Sequence, residues 1–140
     1  MIPMEGLEIA EKWTHALDHD LFDGLAGMMA ADCLYRSPGG VLIGPLAIVD
    51  SYRSSSEWAH ETFDSITWAS EYEPDEEDHV LITFSDITEH RGVHHTYRCR
   101  QRIRIGEDGL IHEIQHLPIA AEETALAEFF SAVGVKRSGR

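Results

Sequence analysis

Residues 93 to 105, VHHTYRCRQRIRI, constrain the fold more than any other stretch of this chain. A strand alternates its side chains between two faces. One parity carries Val93, His95, Tyr97, Cys99, Gln101, Ile103 and Ile105. The other carries His94, Thr96, Arg98, Arg100, Arg102 and Arg104. A core does not accept four successive arginines, so the arginine face meets water or a partner. The opposite face is the interior, and its middle is polar. A polar stretch inside an otherwise apolar face predicts a pocket.

The flanking residues extend this strand into a three-stranded meander over 79 to 118, with turns at Arg91-Gly92 and at Gly106 to Gly109. A two-residue turn at Arg91-Gly92 pairs His90 with Val93. That register places Asp86 opposite Tyr97, Phe84 opposite Cys99 and Thr88 opposite His95. On the other side, pairing Ile105 with Leu110 places Ile103 opposite His112, Gln101 opposite Ile114 and Cys99 opposite His116. On the outer face it sets Arg102 against Glu113. Directly opposed residues lie about 5 Å apart, so Asp86, His95, Tyr97, Cys99, Gln101 and His116 are expected to line one patch.

The 140 residues are enough for one domain with a real core. A net charge of −14 disfavours nucleic acid and anionic membrane surfaces as partners. The two cysteines, Cys33 and Cys99, form neither a disulfide framework nor a zinc spacing, which fits a reducing cytoplasm. No basic segment followed by an apolar run marks a signal peptide at the N-terminus, and no apolar run reaches the ~20 residues of a membrane helix. No metal or cofactor site is expected. His112 and His116 stand about 13 Å apart along a strand, His94 and His95 face opposite ways, and no phosphate-binding loop appears.

Helical spacing of Leu7, Ala10, Trp13 and Leu17 predicts a first helix over 4 to 18, with His15 towards solvent. A second helix capped by Asp20 is expected to carry Leu21, Phe22, Leu25, Met28 and Met29. Short strands follow at 33 to 37 and 41 to 43, separated by Pro38-Gly39-Gly40. Gly44-Pro45 opens a third helix running to about His60, with Ile48, Tyr52 and Ala59 inward. A long strand then places Ile66, Trp68, Ser70 and Tyr72 on one face, and an acidic loop over 73 to 78 leads into the meander. A terminal helix over 120 to 133 has Leu126, Phe129, Phe130 and Val133 as its apolar side, and the last five residues are expected to fray.

This order of elements, with YRSPGGVLIGPLAIVDSY in the middle and RIRIGEDGLIHEI near the end, resembles the nuclear transport factor 2-like superfamily over residues 5 to 118. That group includes ketosteroid isomerase, scytalone dehydratase and the SnoaL-like polyketide cyclases. The resemblance implies an α+β fold, a cone-shaped, curved, mostly antiparallel sheet with three helices from the first half of the chain on its concave face. It also implies one deep pocket and a dimer that packs sheet on sheet, here through the arginine-bearing outer face. The ketosteroid isomerase chemistry itself is missing. The first-helix tyrosine of that enzyme falls on Trp13, its general-base aspartate on Ser37, and its oxyanion-binding aspartate on Gln101. A serine does not take a proton from carbon near neutral pH without a base beside it.

SnoaL-like cyclases and scytalone dehydratase use Asp and His in the same pocket. Similar chemistry here would draw on Asp86 with His95 or His116 as the acid–base pair, and on Tyr97 to donate a hydrogen bond. Trp13, Ser37, His60, Trp68, Cys99, Gln101 and Ile114 complete the expected ligand-binding set. Cys99 reads as a small buried residue more readily than as a nucleophile. Two functions follow. One is cofactor-free isomerisation, cyclisation or dehydration of a small apolar carbonyl compound. The other is a non-catalytic module with the same pocket, which binds a ligand or dimerises.

Overall fold

A computed structural model describes residues 4–136 of the chain. Residues 137–140, most of the tail expected to fray, lie outside the described residues. The element order is α1 (Met4–Asp18), two 3₁₀ turns (Phe22–Gly24 and Ala26–Met28), β1 (Met29–Ser37), β2 (Gly40–Ile43), α2 (Pro45–Thr62), β3 (Ser65–Pro74), β4 (His79–His90), β5 (Val93–Ile105), β6 (Ile111–Leu117) and α3 (Ala120–Val133). The six strands form one curved sheet in the order β2-β1-β6-β5-β4-β3. Every neighbouring pair is antiparallel except β1 with β6.

Local chemistry accounts for most boundaries. Gly44 enters α2 with φ 90°, and Pro45 follows where the helix needs no N–H donor. The helix α3 stops at Gly134, whose φ of 72° suits a residue without a Cβ. The Arg91-Gly92 turn has positive φ at both positions, the geometry that matches the twist of a two-residue hairpin. It delivers the β4–β5 register expected from sequence: Asp86 opposite Tyr97, Phe84 opposite Cys99 and Thr88 opposite His95.

Two expectations are corrected. The segment after Asp20 forms two single 3₁₀ turns, not one helix, and Asp20 does not cap them: the residue before the first turn is Leu21, and no side chain caps it. Gly24 and Gly27 fall within this short segment, each costing about 1 kcal/mol relative to alanine in a helix. The β5–β6 register also differs. Arg104 meets Glu113, Ile103 meets Ile114, Gln101 meets His116, and Arg102 meets Gln115. The Gly106–Leu110 loop is closed by Gly106 N–H to Leu110 O at 2.9 Å and Gly109 N–H to Gly106 O at 3.0 Å. The ladder therefore starts at Ile111, and one further residue is lost at a bulge between Ile105 and Arg104. His112 occupies the bulge, with its ring against Gly106 and Nε2 2.9 Å from Asp108 Oδ1. Cys99 is accordingly not opposite His116, and the Glu113 carboxylate pairs with Arg36 at 3.3 Å.

The main core lies between the sheet and the helices α1 and α2, where Trp13, Leu25, Ile48, Ile82, Ile103, Ile111 and Ile114 are fully buried. A second core joins Ala59 and Phe63 at the end of α2 to Phe129, Phe130 and Val133 of α3. Each such buried side chain contributes about 1.5–3 kcal/mol. The helix α3 is also held to β5 through its first turn, by Arg98 N–H to Glu122 Oε1 at 2.7 Å. No helix among the described residues is long and apolar enough to cross a membrane.

Candidate active site

A cavity of about 350 Å³ opens between the two cores. At ~30 Å³ per water, this is the space of about a dozen water molecules, or a ligand of similar heavy-atom count. Strand β4 contributes Phe84, Asp86 and Thr88, strand β5 contributes Tyr97, Cys99 and Gln101, and strand β3 contributes Ile66 and Trp68. These residues share one side of the sheet because they lie two apart along their strands. The other walls come from Leu17 and Asp18 at the end of α1, Asp20 and Phe22 beyond it, Tyr52, Ser56 and Trp58 of α2, and Leu126 and Phe130 of α3.

Asp86 is the chemically distinctive residue. It lines the cavity opposite Trp68 on β3 and Tyr97 on β5. Its carboxyl forms no hydrogen bond among the described residues. Burial pushes its pKa up to about 7, and the charge of Asp18 adds to the effect. Asp18 is itself raised by burial, against the opposing hydrogen bond from Ser70 Oγ, which reaches Asp18 Oδ2 at 2.6 Å. Oδ1 of Asp18 is buried without a hydrogen-bond partner. Two neighbouring carboxyl groups in a low-dielectric cavity do not both ionise readily.

Asp20 is held differently. Its φ of 56° turns the chain after α1 and aims the side chain across to α2. There it accepts hydrogen bonds from Ser56 Oγ at 2.7 Å and pairs with His60 Nε2 at 3.0 Å. The half-exposed His60 ring stands edge-on to Trp68, 5.0 Å between centroids, beside the cavity.

Several of the other expected site residues fall elsewhere. His95 does not line the cavity; its ring stacks on Phe129 at 4.8 Å and its Nε2 is buried without a hydrogen-bond partner. His116 also lies outside the lining, 3.4 Å from Gln101 Nε2, and burial lowers its pKa. No hydrogen bond joins Asp86 to either histidine. Trp13 and Ile114 are core residues with no exposed surface, Trp13 set edge-on behind Tyr52. Ser37 sits at the end of β1 beside the Gly40 turn, bonded to its carbonyl at 3.4 Å. Tyr97 lines the cavity, but its hydroxyl is hydrogen-bonded to Glu123 of α3, and burial with that bond pushes its pKa far up. Burial lifts the Cys99 thiol to about 12, which removes the thiolate a nucleophile would need. Gln101 is buried, accepts from Tyr52 Oη at 2.7 Å and donates to Tyr35 Oη at 3.3 Å. Among the described residues no group of three or more His, Cys, Asp or Glu is arranged to hold a metal ion.

Asp18, Asp20 and Ser56 are pocket residues that the strand alternation does not reach, and Tyr35, on β1, shares the parity of Ser37 and was not singled out. Asp20 and His60 lie 40 residues apart and meet only when α1 and α2 close on the sheet.

Solved structures with the same arrangement are numerous. A LEH-like epoxide hydrolase from M. tuberculosis superposes with a TM-score of 0.65 at 14% identity, covering 92% of this chain and 94% of that one. A protein from Catenulispora acidiphila, described as having a ketosteroid isomerase-like fold and solved with trimethylamine, gives 0.64 at 16% identity, with 92% and 94% covered. An NTF2-like protein of unknown function from Exiguobacterium gives 0.57 at 15% identity, with 79% and 98% covered. This chain has the nuclear transport factor 2-like fold. The cavity just described lies between the sheet and the helices of that fold. No protein-family model and no curated protein matches the chain in sequence.

Proposed function

We propose that this nuclear transport factor 2-like chain is a small-molecule enzyme that moves a proton without a cofactor, in the manner of the SnoaL-like cyclases. Its substrate is a small, largely apolar carbonyl compound held in the cavity, and its reaction is an isomerisation, cyclisation or dehydration. One observation carries the reading: Asp86 faces the cavity with no hydrogen-bond partner among the described residues and with a pKa that burial raises to about 7. A group poised there exchanges a proton with carbon or oxygen near neutral pH. Asp86 therefore takes the acid–base role alone, its protonation set chiefly by burial, with the charge of Asp18 adding to it. The histidine at the site is His60, paired with Asp20 beside the cavity. The Tyr35 hydroxyl, which accepts from Gln101, keeps its own proton to offer a substrate oxygen.

The neighbours acting on an epoxide or holding trimethylamine support a small-molecule site in this fold, without naming the substrate here. A ligand-binding module is the second reading. It is favoured by the pairing of polar groups among themselves, Tyr52 with Gln101, Ser56 with Asp20 and Ser70 with Asp18.

Solvent exchange separates the two. A panel of small cyclic ketones is incubated with the protein in D₂O, and deuterium uptake next to the carbonyl is followed by NMR. Catalysed uptake that Asp86→Asn abolishes supports the enzyme. A ketone that binds, by chemical-shift change at Trp68, yet exchanges no faster than in buffer supports the binding module.

A further inference from the structure

The cavity wall has a one-sided charge. Asp18, Asp20 and Asp86 all line it, and among the described residues no lysine, arginine or histidine does. Nine of the 22 described lining residues are aromatic, among them Trp58, Trp68, Phe84 and Tyr97. Ring faces carry negative potential and attract cations, best when water is excluded. Asp86, partly buried, looks into this space with no hydrogen-bond partner among the described residues. A buried, unpartnered carboxyl needs either a proton or a positive charge beside it. The three aspartates are not arranged to hold a metal ion. The protein as a whole, at −14, also draws cations towards it.

We infer that the ligand of this cavity is an organic cation, a small apolar amine whose ammonium group sits against Asp86 within the aromatic wall. The inference rests on the cavity being the working site proposed above and supplies its substrate class: an amino-carbonyl compound. In the proton transfer, the C–H bond beside the carbonyl breaks, its electron pair stays as the enolate, and the proton passes to the Asp86 carboxylate. The carboxyl exchanges that proton with solvent, and Asp86 returns a solvent-derived proton to the product carbon. The enolate meets no cationic side chain in the wall, so the substrate's own ammonium provides the opposing charge. That ammonium also holds Asp86 ionised, in the form that accepts the proton.

The cation and the proton compete for Asp86, so affinity depends on pH. The groups facing Asp86 are Asp18 from α1, Tyr97 and Cys99 from β5, and Glu123 of α3 behind Tyr97. His15 and His19 act on Asp18, and His60 of α2 acts on Asp20. Trp68 and Ser70, which face the site from β3, do not titrate. With Asp86 raised to about 7, affinity for a permanent cation rises about tenfold from about pH 6 to about pH 8.

The test compares phenyltrimethylammonium with its uncharged isostere tert-butylbenzene, read by tryptophan fluorescence and by NMR. Wild type binds the cation at least ~10-fold more tightly than the isostere near pH 8, with the pH dependence above. Asp86→Asn loses that preference and the pH dependence, and retained isostere binding shows that the variant is folded. Should Asp86→Asn fail to fold, Asp18→Asn serves, with an expected severalfold loss for the cation alone. Equal affinity for cation and isostere in wild type overturns the inference, as does a cation preference that survives in Asp86→Asn. Deuterium exchange on a neutral ketone with no cation preference leaves the acid–base reading standing and removes this one. Cation binding without exchange on an aminoketone does the reverse.

Discussion

Replacing Asp86 by asparagine is expected to stabilise the protein, increasingly so as pH rises. In the unfolded chain an aspartate titrates near its ordinary value of 3.8, whereas in the fold burial raises Asp86 to about 7. Below about pH 4 both states carry the proton, and the carboxyl costs nothing. Between the two values the unfolded state ionises while the folded state stays protonated, so stability falls steadily. Above about pH 7 the loss is complete, about 4 kcal/mol at ~1.4 kcal/mol per unit. An isosteric amide keeps the shape and cannot ionise, so Asp86→Asn escapes this loss. Its advantage over wild type grows by about 2 kcal/mol between about pH 5.5 and about pH 8.5, since 1.5 units lie between 5.5 and 7. Urea unfolding of both proteins at the two pH values measures it, by comparing the differences and not the absolute stabilities. Asp18, raised in the same direction, contributes equally to both proteins in first order. A difference that is independent of pH, or one in which wild type gains, would falsify the picture of a neutral buried carboxyl. The proposed chemistry would lose its poised acid with it.

Phe130→Ala removes a buried ring shared by the second core and the cavity wall, so a loss of about 3–5 kcal/mol in urea unfolding is expected, together with weaker retention of any cavity ligand. A loss below about 1 kcal/mol would mean that α3 does not close the cavity as described. The dimer proposed through the outer sheet face places Arg98 and Arg100, both exposed, in contact with a second copy. Sedimentation is expected to show a dimer that Arg98→Glu with Arg100→Glu dissociates, and a wild-type monomer at high concentration would remove that interface.

Much of the sheet was legible because strand alternation and turn chemistry are local. The β4–β5 register followed from Arg91 and Gly92 alone, since a two-residue turn leaves one possible pairing. The β5–β6 pairing was displaced by two residues: an Ile105–Leu110 start would set Arg104 against Ile111, and Arg104 in fact meets Glu113. A longer loop, here Gly106–Leu110, followed by a bulge has no such unique solution. Beyond the bulge the displacement is even, so residues 113 to 117 kept their faces, and Gln101 and Ile114 point inward as expected; before it Ile111, expected on the outer face opposite Arg104, turns into the core opposite Ile105. The helix expected after Asp20 was the weaker inference, since apolar residues around two glycines do not specify a helix.

The site divides along the same line. Asp86, Tyr97, Cys99, Gln101 and Trp68 were within reach of the sequence, because a period of two places them on the concave side whatever the rest of the chain does. Partnership was not. Asp86 has Asp18 for its electrostatic neighbour, and His60 has Asp20, because α1, its following turn and α2 fold over one end of the sheet. His95 and His116, on the inner parity of their strands, are excluded from the cavity by Phe129 of α3 and by the Tyr35–Gln101 pair. The sequence by itself determined which face of each strand is the interior, through backbone geometry that acts between adjacent residues. Only the tertiary structure decided which interior groups meet and which lose their water, because contact and desolvation depend on segments brought together from distant parts of the chain.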